Sequence, residues 1–508
     1  MDEVVMRVAF RVDASTRIGT GHQRRSASLA AGLRETGSDI AWVSRDLGIK
    51  PTRPVDGGAD ALFALPAPSE LFQPQAGDPV HAPMALTSWQ PDADDTIAAL
   101  RDFAPTWIVL DHYAFDARWM ERVRAALGAK ICVIDDLADR PLAADVLVDH
   151  NLDVDHRAKY SRVAGAVERL LGGPRFALLS EAFRDARPCE PHDPPRSIGI
   201  FLGGTDPWGL SSVALRACRE VAKFDGEIEV VTTSANPNLA ALSRDCAQAG
   251  AQLLLDLPDL AEFFARHDLQ IGAGGGAALE RCRVGAPSVG LVCAQNQARV
   301  IKHLAAAGAM RKVPANEAAD IGRVVAELLA SPEACGSMSK AARRLVDGRG
   351  AQRVAVALAA DGVTLRRAQP EDAELVYGWR KDPRTWRHFR HPGSVNHAEH
   401  LAWWGRTLQD DHRRLLIACC GEVAVGTLRF DIDDGAAEVS IYLDPGLTGL
   451  GLGASLLRAG QRWIAADSPR LTRLLAEIQE ANKASAAVFG SAGFVQVAPT
   501  QWCLEIRH

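Results

Sequence analysis

Apolar residues follow two periodicities along the first third of this chain. Between residues 4 and about 185, short runs of β-branched and other apolar residues alternate with segments whose apolar positions recur at helical spacing. Such alternation predicts a parallel sheet covered by helices. Residues 47–92 are rich in Pro, Gly and Ala and lack both periodicities, so we predict a loop-rich insertion over a site. The strands predicted for this first unit are Val4–Val12, Asp39–Val43, Trp107–Leu110, Lys130–Asp135 and Asp145–Val148.

A proline-rich break, Arg187–Arg196, separates this unit from a second unit with the same alternation. Two consecutive Rossmann-like units joined by such a linker indicate a cleft between them. The predicted strands of the second unit are Ser197–Leu202, Glu227–Thr232, Gln252–Leu255, Asp268–Ile271 and Pro287–Val292, and its predicted helices include Leu210–Lys223, Asn238–Gln248, Ile321–Ala330 and Glu333–Leu345.

The last part of the chain has a different pattern, because its strands follow one another through short turns. This pattern predicts an α+β domain with a mostly antiparallel sheet. The predicted domains are therefore 1–186, 187–361 and 362–508, two Rossmann-like α/β domains followed by an α+β domain. The predicted strands of the third domain are Val363–Arg366, Arg413–Cys420, Val423–Asp431 and Ala437–Leu443, with helices at Glu371–Trp379 and Ala454–Ala465.

The composition of the chain argues against several classes of protein. A net charge of −6 without a basic run argues against a general nucleic-acid binder. The start, Met1-Asp-Glu-Val-Val5, lacks the basic and apolar regions of a secretory signal, and no apolar stretch is long enough to span a membrane. Ten cysteines occur without a C-x-x-C pair, which predicts reduced, buried thiols and a cytoplasmic location.

One turn carries a histidine at the start of a helix. Gly19-Thr-Gly21-His22 follows the first predicted strand and opens a helix over Gln23–Arg34, so its amides and the helix dipole face any ligand. The dipole favours a neutral imidazole, which can accept a proton as a general base. The alternative interpretation is a tight turn without chemistry.

Two further glycine-rich turns lie in the second unit. Gly203-Gly204-Thr205-Asp-Pro207 and Gly272-Ala-Gly274-Gly275-Gly276 each follow a predicted strand, and their amides suit a ligand with a diphosphate. Glu280, a few residues later, is placed to accept hydrogen bonds from ribose hydroxyls, unless it is an exposed helix charge. We predict no metal site, because the neighbours Asp135 and Asp136, like Asp111 and His112, point to opposite faces of a strand.

These motifs resemble the UDP-2,4-diacetamido-2,4,6-trideoxy-β-L-altropyranose hydrolases of the pseudaminic acid pathway. The resemblance covers residues 5 to about 345 in motif order and implies a glycosyltransferase B-like fold, water as the acceptor and no metal. The motifs that carry it are Gly19–His22, Asp111-His-Tyr-Ala-Phe-Asp116, Asp135-Asp136, Leu171-Gly-Gly-Pro-Arg-Phe176, Gly203–Pro207, Gly274–Glu280 and Asn296-Gln297.

The resemblance implies a role for each matching residue. His22 would activate the water that attacks C1 of the sugar with inversion, and Tyr113 would lie near that sugar. Asn296 and Gln297 would hold its acetamido or hydroxyl groups, Glu280 the ribose, and the amides of 203–205 and 274–276 the diphosphate. The family shows Val-Met-Arg-Cys after the histidine, whereas this chain has Gln23-Arg24-Arg25-Ser26. Arg24 and Arg25 would either add charge near the phosphates or face solvent.

The third domain resembles the GNAT N-acetyltransferases, which use acetyl-CoA. Leu447-Thr448-Gly449-Leu-Gly451-Leu-Gly453-Ala454 lies between a strand and a helix, so its amides suit the pyrophosphate of the cofactor. Glu438, on the strand before this turn, is the candidate base for the amine, unless it is an exposed strand carboxylate. Thr448 replaces the usual Gln or Arg, and Phe489 replaces the tyrosine that protonates the thiolate in many members. The residues that this resemblance assigns to the cofactor are Leu443, Gly449, Gly451, Gly453, Ala454, Asn482 and Ser485.

Together the two resemblances predict a bifunctional enzyme. The third domain would acetylate the 4-amine of a UDP-linked amino sugar, with helix His397–Trp404 on the substrate side, and the first two domains would hydrolyse the product. The sugar would lead to a nonulosonic acid of the kind placed on flagellin or surface polysaccharide. Two alternatives stay open: a glycosyltransferase of the same fold class, and a third domain that binds nucleotide sugar without acetyl transfer.

Overall fold

The computed structural model describes residues 5–506 except 16–17, 19, 49–50, 52–58, 69–71, 164, 166, 388 and 390–392. The chain divides into two compact units. One contains residues 7–31 and 40–351, and the other contains residues 1–6, 32–39 and 352–508. Val4 and Gly19 of the predicted strand and turn lie outside the described residues.

The larger unit begins with a seven-stranded sheet in the order β3-β2-β1-β4-β5-β6-β7, in which the registered pairs run parallel. Its central strands are buried along their whole length, as expected for a sheet with helices on both faces. The strands are β1 Arg7–Val12, β2 Asp39–Arg45, β3 Ala61–Leu65, β4 Trp107–Asp111, β5 Lys130–Ile134, β6 Val146–Asp149 and β7 Arg169–Gly172, and the helices are α1 Gly21–Glu35, α2 Trp89–Leu100, α3 Ala117–Leu127, α4 His156–Tyr160 and α5 Glu181–Arg184.

A second sheet in the same unit has six strands in the order β10-β9-β8-β11-β12-β13, and its pairs are parallel. Both sheets place their first strand in the middle and reverse direction there, as Rossmann-like sheets do. Its strands are β8 Ser197–Phe201, β9 Glu227–Thr232, β10 Gln252–Leu255, β11 Leu269–Ala273, β12 Ser288–Leu291 and β13 Arg311–Lys312, and the helices are α6 Leu210–Arg216, α7 Leu239–Ala249, α8 Ala261–Arg266, α9 Gly276–Val284, α10 Gln297–Ala306, α11 Ala318–Leu329 and α12 Pro332–Leu345. Most of the next helix, α13 Gly350–Leu358, belongs to the smaller unit.

The smaller unit is built on a sheet in the order β14-β15-β16-β17-β18-β20-β19. Its neighbours pair antiparallel except β17 and β18, which run parallel. Its strands are β14 Thr364–Arg367, β15 Arg413–Cys420, β16 Val423–Asp433, β17 Ala436–Leu443, β18 Arg473–Glu477, β19 Val495–Gln496 and β20 Gln501–Glu505, and the helices are α14 Asp372–Arg380, α15 Pro383–Trp386, α16 His397–Leu408, α17 Leu452–Asp467 and α18 Lys483–Ser491.

These sheets confirm the predicted fold class of two Rossmann-like domains followed by an α+β domain. The prediction of a loop-rich insertion over 47–92 was wrong in part, because β3 extends the first sheet beside β2 and α2 begins at Trp89. The predicted helix 210–223 changes at Ala217 into a π-helical turn, Ala217–Val221. All ten cysteines are free thiols. Within the described part of the chain, no helix is both long and apolar enough to cross a membrane.

Candidate active sites

The carboxyl ends of β1, β4, β5 and β6 gather polar side chains at one edge of the first sheet. In open parallel sheets this edge, where the strand order reverses, is where ligands bind. The helix α1 begins at the same edge and carries His22 in its first turn. The histidine is partly buried, with 12% of its side chain exposed.

His22 is held by a carboxylate of the neighbouring strand. Its Nδ1 lies 2.6 Å from Oδ1 of Asp111, the last residue of β4. A carboxylate accepts only, so the 2.6 Å contact requires the proton on Nδ1, and this contact is shorter than the 3.2 Å between Nδ1 and Arg25 Nη2. The other ring nitrogen, Nε2, is then the one that can accept a proton. This pairing of histidine and carboxylate is the arrangement that orients a general base.

Arg25 and Ser26, one turn further along α1, hold Asp111 in place. Arg25 Nε donates to Asp111 Oδ2 over 2.8 Å, and the Ser26 hydroxyl donates to the same oxygen over 3.1 Å. Burial would raise the pKa of Asp111, but Arg25 and then His22 outweigh it and hold that pKa well below its usual range. Asp111 is therefore ionised, and Arg25 contacts it instead of facing solvent. Arg25 and Ser26 lie in the segment where this chain departs from the family pattern.

Tyr113 lies against the imidazole. The two rings meet edge to face with centroids 4.6 Å apart, and His81, from the segment predicted to cover a site, lies 5.7 Å from Tyr113 on another side. The Tyr113 hydroxyl donates to Asp136, whose other oxygen accepts from Asn151 Nδ2 over 3.0 Å. Burial raises the pKa of Tyr113 well above its usual value, so the phenol stays protonated.

The neighbouring polar residues point away from His22. His112 lies 3.3 Å from Asp13, and Asp13 pairs with the buried Arg11. Asp135 pairs with Arg140 at 2.6 Å. Adjacent residues at the end of β4, and likewise at the end of β5, therefore contact different groups, because successive side chains of a strand point to opposite faces. The sequence had suggested no function for Asp111, although it lies within a quoted motif.

The turn after β8 presents backbone amides, whereas the first amides of α6, the helix that follows, are bonded to a side chain. Gly203 has a φ of +104°, which favours glycine, and Thr205 is exposed. The Asp206 carboxylate accepts from the amides of Leu210 and Ser211 and so caps α6. The amides of Gly203, Gly204 and Thr205 are therefore the donors that this turn can offer to an anion.

The turn after β11 leads directly into α9 through Gly274, Gly275 and Gly276. Gly274 packs tightly, since a Cβ there would lie 2.6 Å from Ile301 Cγ1. A Cβ on Gly276 would meet no atom of the protein within 4 Å. Gly276 is the first residue of α9, so this space adjoins the helix N-terminus, where an anion is favoured.

Glu280 is half-buried in the next turn of α9. Burial raises its pKa to about 7, although Arg24 and then Arg281 act to lower it. Arg24 belongs to α1 of the first sheet, so its influence reaches Glu280 across the two halves of this unit. The two halves also contact directly, with Arg299 Nε 2.7 Å from Asp153.

Asn296 and Gln297 begin α10. Gln297 Oε1 accepts from the amides of Gly274 and Cys293, at 3.3 Å and 3.1 Å, and thereby fixes the glycine turn. Asn296 is exposed at the N-cap position. An open cleft of about 410 Å³ lies beside these residues and the turn after β8; it is lined by Trp208, Leu210, Val292, Cys293, Ala294, Gln295 and Asn316.

The smaller unit holds a second candidate site where β17 and β18 part. Their pairing among the described residues covers only Ala436–Glu438 and Arg473–Leu475. The backbone of β17 from Val439 to Leu443 therefore offers an edge to an extended, amide-bearing ligand. Glu438, half-buried, stands at the last paired position. The edge leads to Gly449 and Gly451, each with a φ of +80°, and Gly451 is the N-cap of α17.

The residues around this edge fit the pantetheine and pyrophosphate of acetyl-CoA. The sixteen-residue helix α17 presents its N-terminus at Gly451, and Ala454 is half-buried in its first turn. Gly453 allows α18 to approach, since a Cβ there would lie 2.9 Å from Val488. Asn482 caps α18 by accepting from the Ser485 amide over 3.1 Å.

Phe489 is buried in the core of the smaller unit. It packs edge to face on Phe494 with centroids 4.9 Å apart and has no group that could donate a proton. Of the helix His397–Trp404, His400 and Trp404 are buried and donate to backbone carbonyls of Ala373 and Gln369. These two residues attach α16 to α14 instead of facing a substrate.

Two arginines face the residues at the end of β17. Arg380 lies over the Phe389 ring at 4.3 Å and Arg429 over the Trp403 ring at 5.8 Å. Burial raises the pKa of Tyr442, and Arg380 and then Arg429 act to lower it. Arg429 pairs with Asp431 at 2.7 Å, whereas Arg380 donates to the Gly393 carbonyl over 3.2 Å.

The described chain contains two Rossmann-like domains and an α+β domain, and comparison with known proteins relates each part to an enzyme family. Residues 363–495 match the family described as the acetyltransferase (GNAT) domain. The chain is also similar to the UDP-2,4-diacetamido-2,4,6-trideoxy-beta-L-altropyranose hydrolase of Campylobacter jejuni subsp. jejuni serotype O:2. The two are 26% identical over 243 residues, and the match covers 47% of this chain and 74% of that protein. Both resemblances inferred from the motifs are thereby confirmed.

Two solved structures are similar to parts of the chain. The crystal structure of Acinetobacter baumannii MurG is 15% identical, with a TM-score of 0.47, and covers 69% of this chain and 98% of its own. Aminoglycoside acetyltransferase AAC(6')-Ib in complex with coenzyme A is 17% identical, with a TM-score of 0.25, and covers 28% of this chain and 94% of its own.

Proposed function

We propose that the Rossmann-like pair hydrolyses a UDP-linked 2,4-diacetamido-2,4,6-trideoxy-β-L-altropyranose to UDP and the free sugar. His22 Nε2 takes a proton from water, the water oxygen bonds to C1, and the C1–O bond to UDP breaks with inversion. Asp111 stabilises the imidazolium that forms, and Tyr113 contacts the sugar. The observation that carries this proposal is the 2.6 Å contact between His22 Nδ1 and Asp111, which leaves Nε2 as the base.

The second sheet supplies the groups that a UDP leaving group requires. Amides of Gly203, Gly204 and Thr205 and of Gly274, Gly275 and Gly276 would hold the diphosphate, with Gly21 at the facing turn. Glu280 would accept from the ribose hydroxyls. Asn296 and the amide nitrogen of Gln297 would contact the sugar. The open space in front of Gly276 supports this assignment, because a glycine without neighbours leaves room for a ligand.

Release of UDP without an acceptor separates hydrolysis from glycosyl transfer. The purified chain is incubated with the UDP-sugar alone, and UDP is followed by ion-exchange chromatography. Hydrolysis predicts release of one UDP per sugar consumed. No release until an acceptor is added would contradict the proposal and support a glycosyltransferase.

We propose that the GNAT domain acetylates the 4-amine of the UDP-linked sugar precursor. Acetyl-CoA, when bound, supplies the acetyl thioester. Glu438 would take the amine proton, Leu443 and the β17 edge would hold the pantetheine arm, and Gly449 to Ala454 with Asn482 and Ser485 would hold the nucleotide end. Arg380, which has no carboxylate partner among the described residues, supports an anionic acceptor.

The alternative for this domain is binding without acetyl transfer. The buried Phe489 favours it, because the domain then lacks the usual proton donor for the thiolate. Thiol release from acetyl-CoA with the 4-amino UDP-sugar decides between the two. Release that depends on the sugar supports catalysis, and its absence in a chain that still binds acetyl-CoA supports the alternative.

The two proposed reactions are consecutive, because acetylation yields the substrate of the hydrolysis. A shared chain raises the effective concentration of the intermediate at the second site. The product would enter synthesis of a nonulosonic acid, and supply of acetyl-CoA and UDP-sugar would place the enzyme in the cytoplasm.

A further inference from the structure

Arg281 of α9 is a buried cation that forms no ion pair with any acidic residue in the described part of the chain. Its side chain is 1% exposed, and its Nη2 donates to the Ala273 carbonyl over 2.7 Å. Nε and Nη1 have no hydrogen-bond partner, and no carboxylate oxygen of the described residues lies within ion-pair distance. Its guanidinium also lies over the Phe264 ring at 5.7 Å.

The guanidinium lies between the ends of two adjacent strands. A Cβ on Gly272, at the end of β11, would come within 2.2 Å of Arg281 Nη1 and 2.9 Å of the Phe201 carbonyl. Phe201 ends β8 and pairs in register with Gly272. Arg281 therefore lies beneath both glycine-rich turns, the one that starts after Phe201 and the one that starts at Gly272.

A buried, incompletely bonded charge is costly to the free protein. Desolvation lowers the pKa of Arg281 to about 10, which records this cost. A buried arginine is usually retained where an anion compensates its charge. The preceding residue, Glu280, forms no ion pair with Arg281, although the charge of each affects the pKa of the other. Among the described residues, no carboxylate pairs directly with Arg281 to compensate its charge.

We propose that Arg281 is a positioning residue for a diphosphate ligand, supplying the buried positive charge beneath the two turns whose amides hold that diphosphate. This inference rests on the proposed binding of UDP by the second sheet. Arg281 acts through the Ala273 carbonyl, which fixes the turn, and through its charge, which is weakly screened because it is buried. Gly272 is glycine because any side chain there would displace the guanidinium.

Three substitutions of Arg281 separate the effect of its charge from the effect of its hydrogen bond. Arg281→Met removes the charge and the hydrogen bond, Arg281→Gln removes the charge but keeps a donor for Ala273, and Arg281→Lys keeps the charge. Binding of uridine, UMP and UDP to each full-length variant is measured by calorimetry. Uridine serves as the internal reference, because it shares the base and ribose contacts but carries no phosphate.

The ratio of UDP affinity to uridine affinity is the readout. We expect it to fall about tenfold or more in Arg281→Met and Arg281→Gln, and to change least in Arg281→Lys. A ratio equal to that of the wild type in Arg281→Gln, or an equal fall in Arg281→Lys, would overturn the inference. Should Arg281→Met not fold, Arg281→Gln decides alone.

A failure of the proposed hydrolysis can be distinguished from a failure of the proposed role of Arg281. Wild-type chain that binds UDP but releases none from the UDP-sugar would contradict the hydrolysis, while the affinity ratios would still decide the role of Arg281. Wild-type chain that binds neither uridine nor UDP would overturn both.

Discussion

His22 and Asp111 form a 2.6 Å contact that joins the first turn of α1 to the end of β4. The contact fixes which imidazole nitrogen bears the proton, so it decides whether His22 can act as a base. Arg25 and Ser26 in turn fix the carboxylate. The geometry therefore makes the base depend on residues that follow it along the same helix.

Asp111→Asn should reduce hydrolysis by about 10²-fold or more with little change in UDP affinity. An asparagine amide donates to Nδ1, which moves the imidazole proton to Nε2 and removes the acceptor. Turnover of the UDP-sugar and UDP binding are measured on the same preparation. Asp94→Asn, which breaks an exposed pair with Arg122, is the matched control and should leave turnover unchanged. Equal turnover in Asp111→Asn and wild type would rule out the pair as the base.

UDP affinity should decline as the pH falls below about 7, the pKa to which burial raises Glu280. Only the ionised carboxylate accepts from both ribose hydroxyls, and its protonated form predominates below that pKa. Affinity is measured by calorimetry between pH 5.5 and 8.5. Glu280→Gln is the reference, since the ratio of the two affinities removes the titration of the UDP phosphates. Parallel profiles for the two proteins would contradict the assignment of Glu280 to the ribose.

The raised pKa of Glu280 should also make the free energy of unfolding depend on pH. The folded chain holds the Glu280 proton more tightly than the unfolded chain, in which the pKa is near its ordinary value of 4.5. The free energy of unfolding should therefore fall as the pH rises from about 4.5 to about 7 and stay reduced above that. Glu280→Gln should flatten this part of the profile in denaturant titrations. A profile unchanged by the substitution would show that Glu280 does not contribute to it.

Gly276→Ala should weaken UDP binding by about tenfold while leaving stability unchanged or slightly raised. The added Cβ meets no protein atom within 4 Å, and alanine favours the helix that begins there. It would occupy the space proposed for the diphosphate. Gly274→Ala is the counterpart, because its Cβ would lie 2.6 Å from Ile301 Cγ1 and should lower the melting temperature. Unchanged UDP affinity in a folded Gly276→Ala protein would exclude this turn from the diphosphate site.

Glu438→Gln should slow acetyl transfer by about 10²-fold without loss of acetyl-CoA binding. An amide cannot take the amine proton, whereas the β17 edge that would hold pantetheine is unchanged. Thiol release and acetyl-CoA affinity are measured together. Glu422→Gln, at an exposed turn of the same sheet, is the control. A normal rate in Glu438→Gln would require another base for the amine.

The sequence predicted most of the fold because periodic, buried strands such as Trp107–Asp111 carry their pattern locally. It missed β3 and β7, which lie at the two edges of the first sheet and are only partly buried, so their pattern is weak. It also missed β13, at an edge of the second sheet, and β18, β19 and β20 of the third sheet. The glycine turns and His22 could be proposed from the sequence, because their residue types are constrained in any protein that uses them. Asp111 and Arg281 could not be proposed from it, because their partners lie on other elements and no local spacing indicates the contacts.

Hydrolysis in isotope-labelled water, compared between the wild-type chain and His22→Ala, is the most direct test of His22 as the base that activates water. The UDP-sugar is hydrolysed in ¹⁸O-labelled water by wild-type chain and by His22→Ala, and both products are analysed by mass spectrometry. The account predicts label at C1 of the free sugar, none in UDP, and a rate about 10²-fold lower in His22→Ala with UDP affinity nearly intact. Label in UDP, or an unchanged rate in His22→Ala, would contradict it.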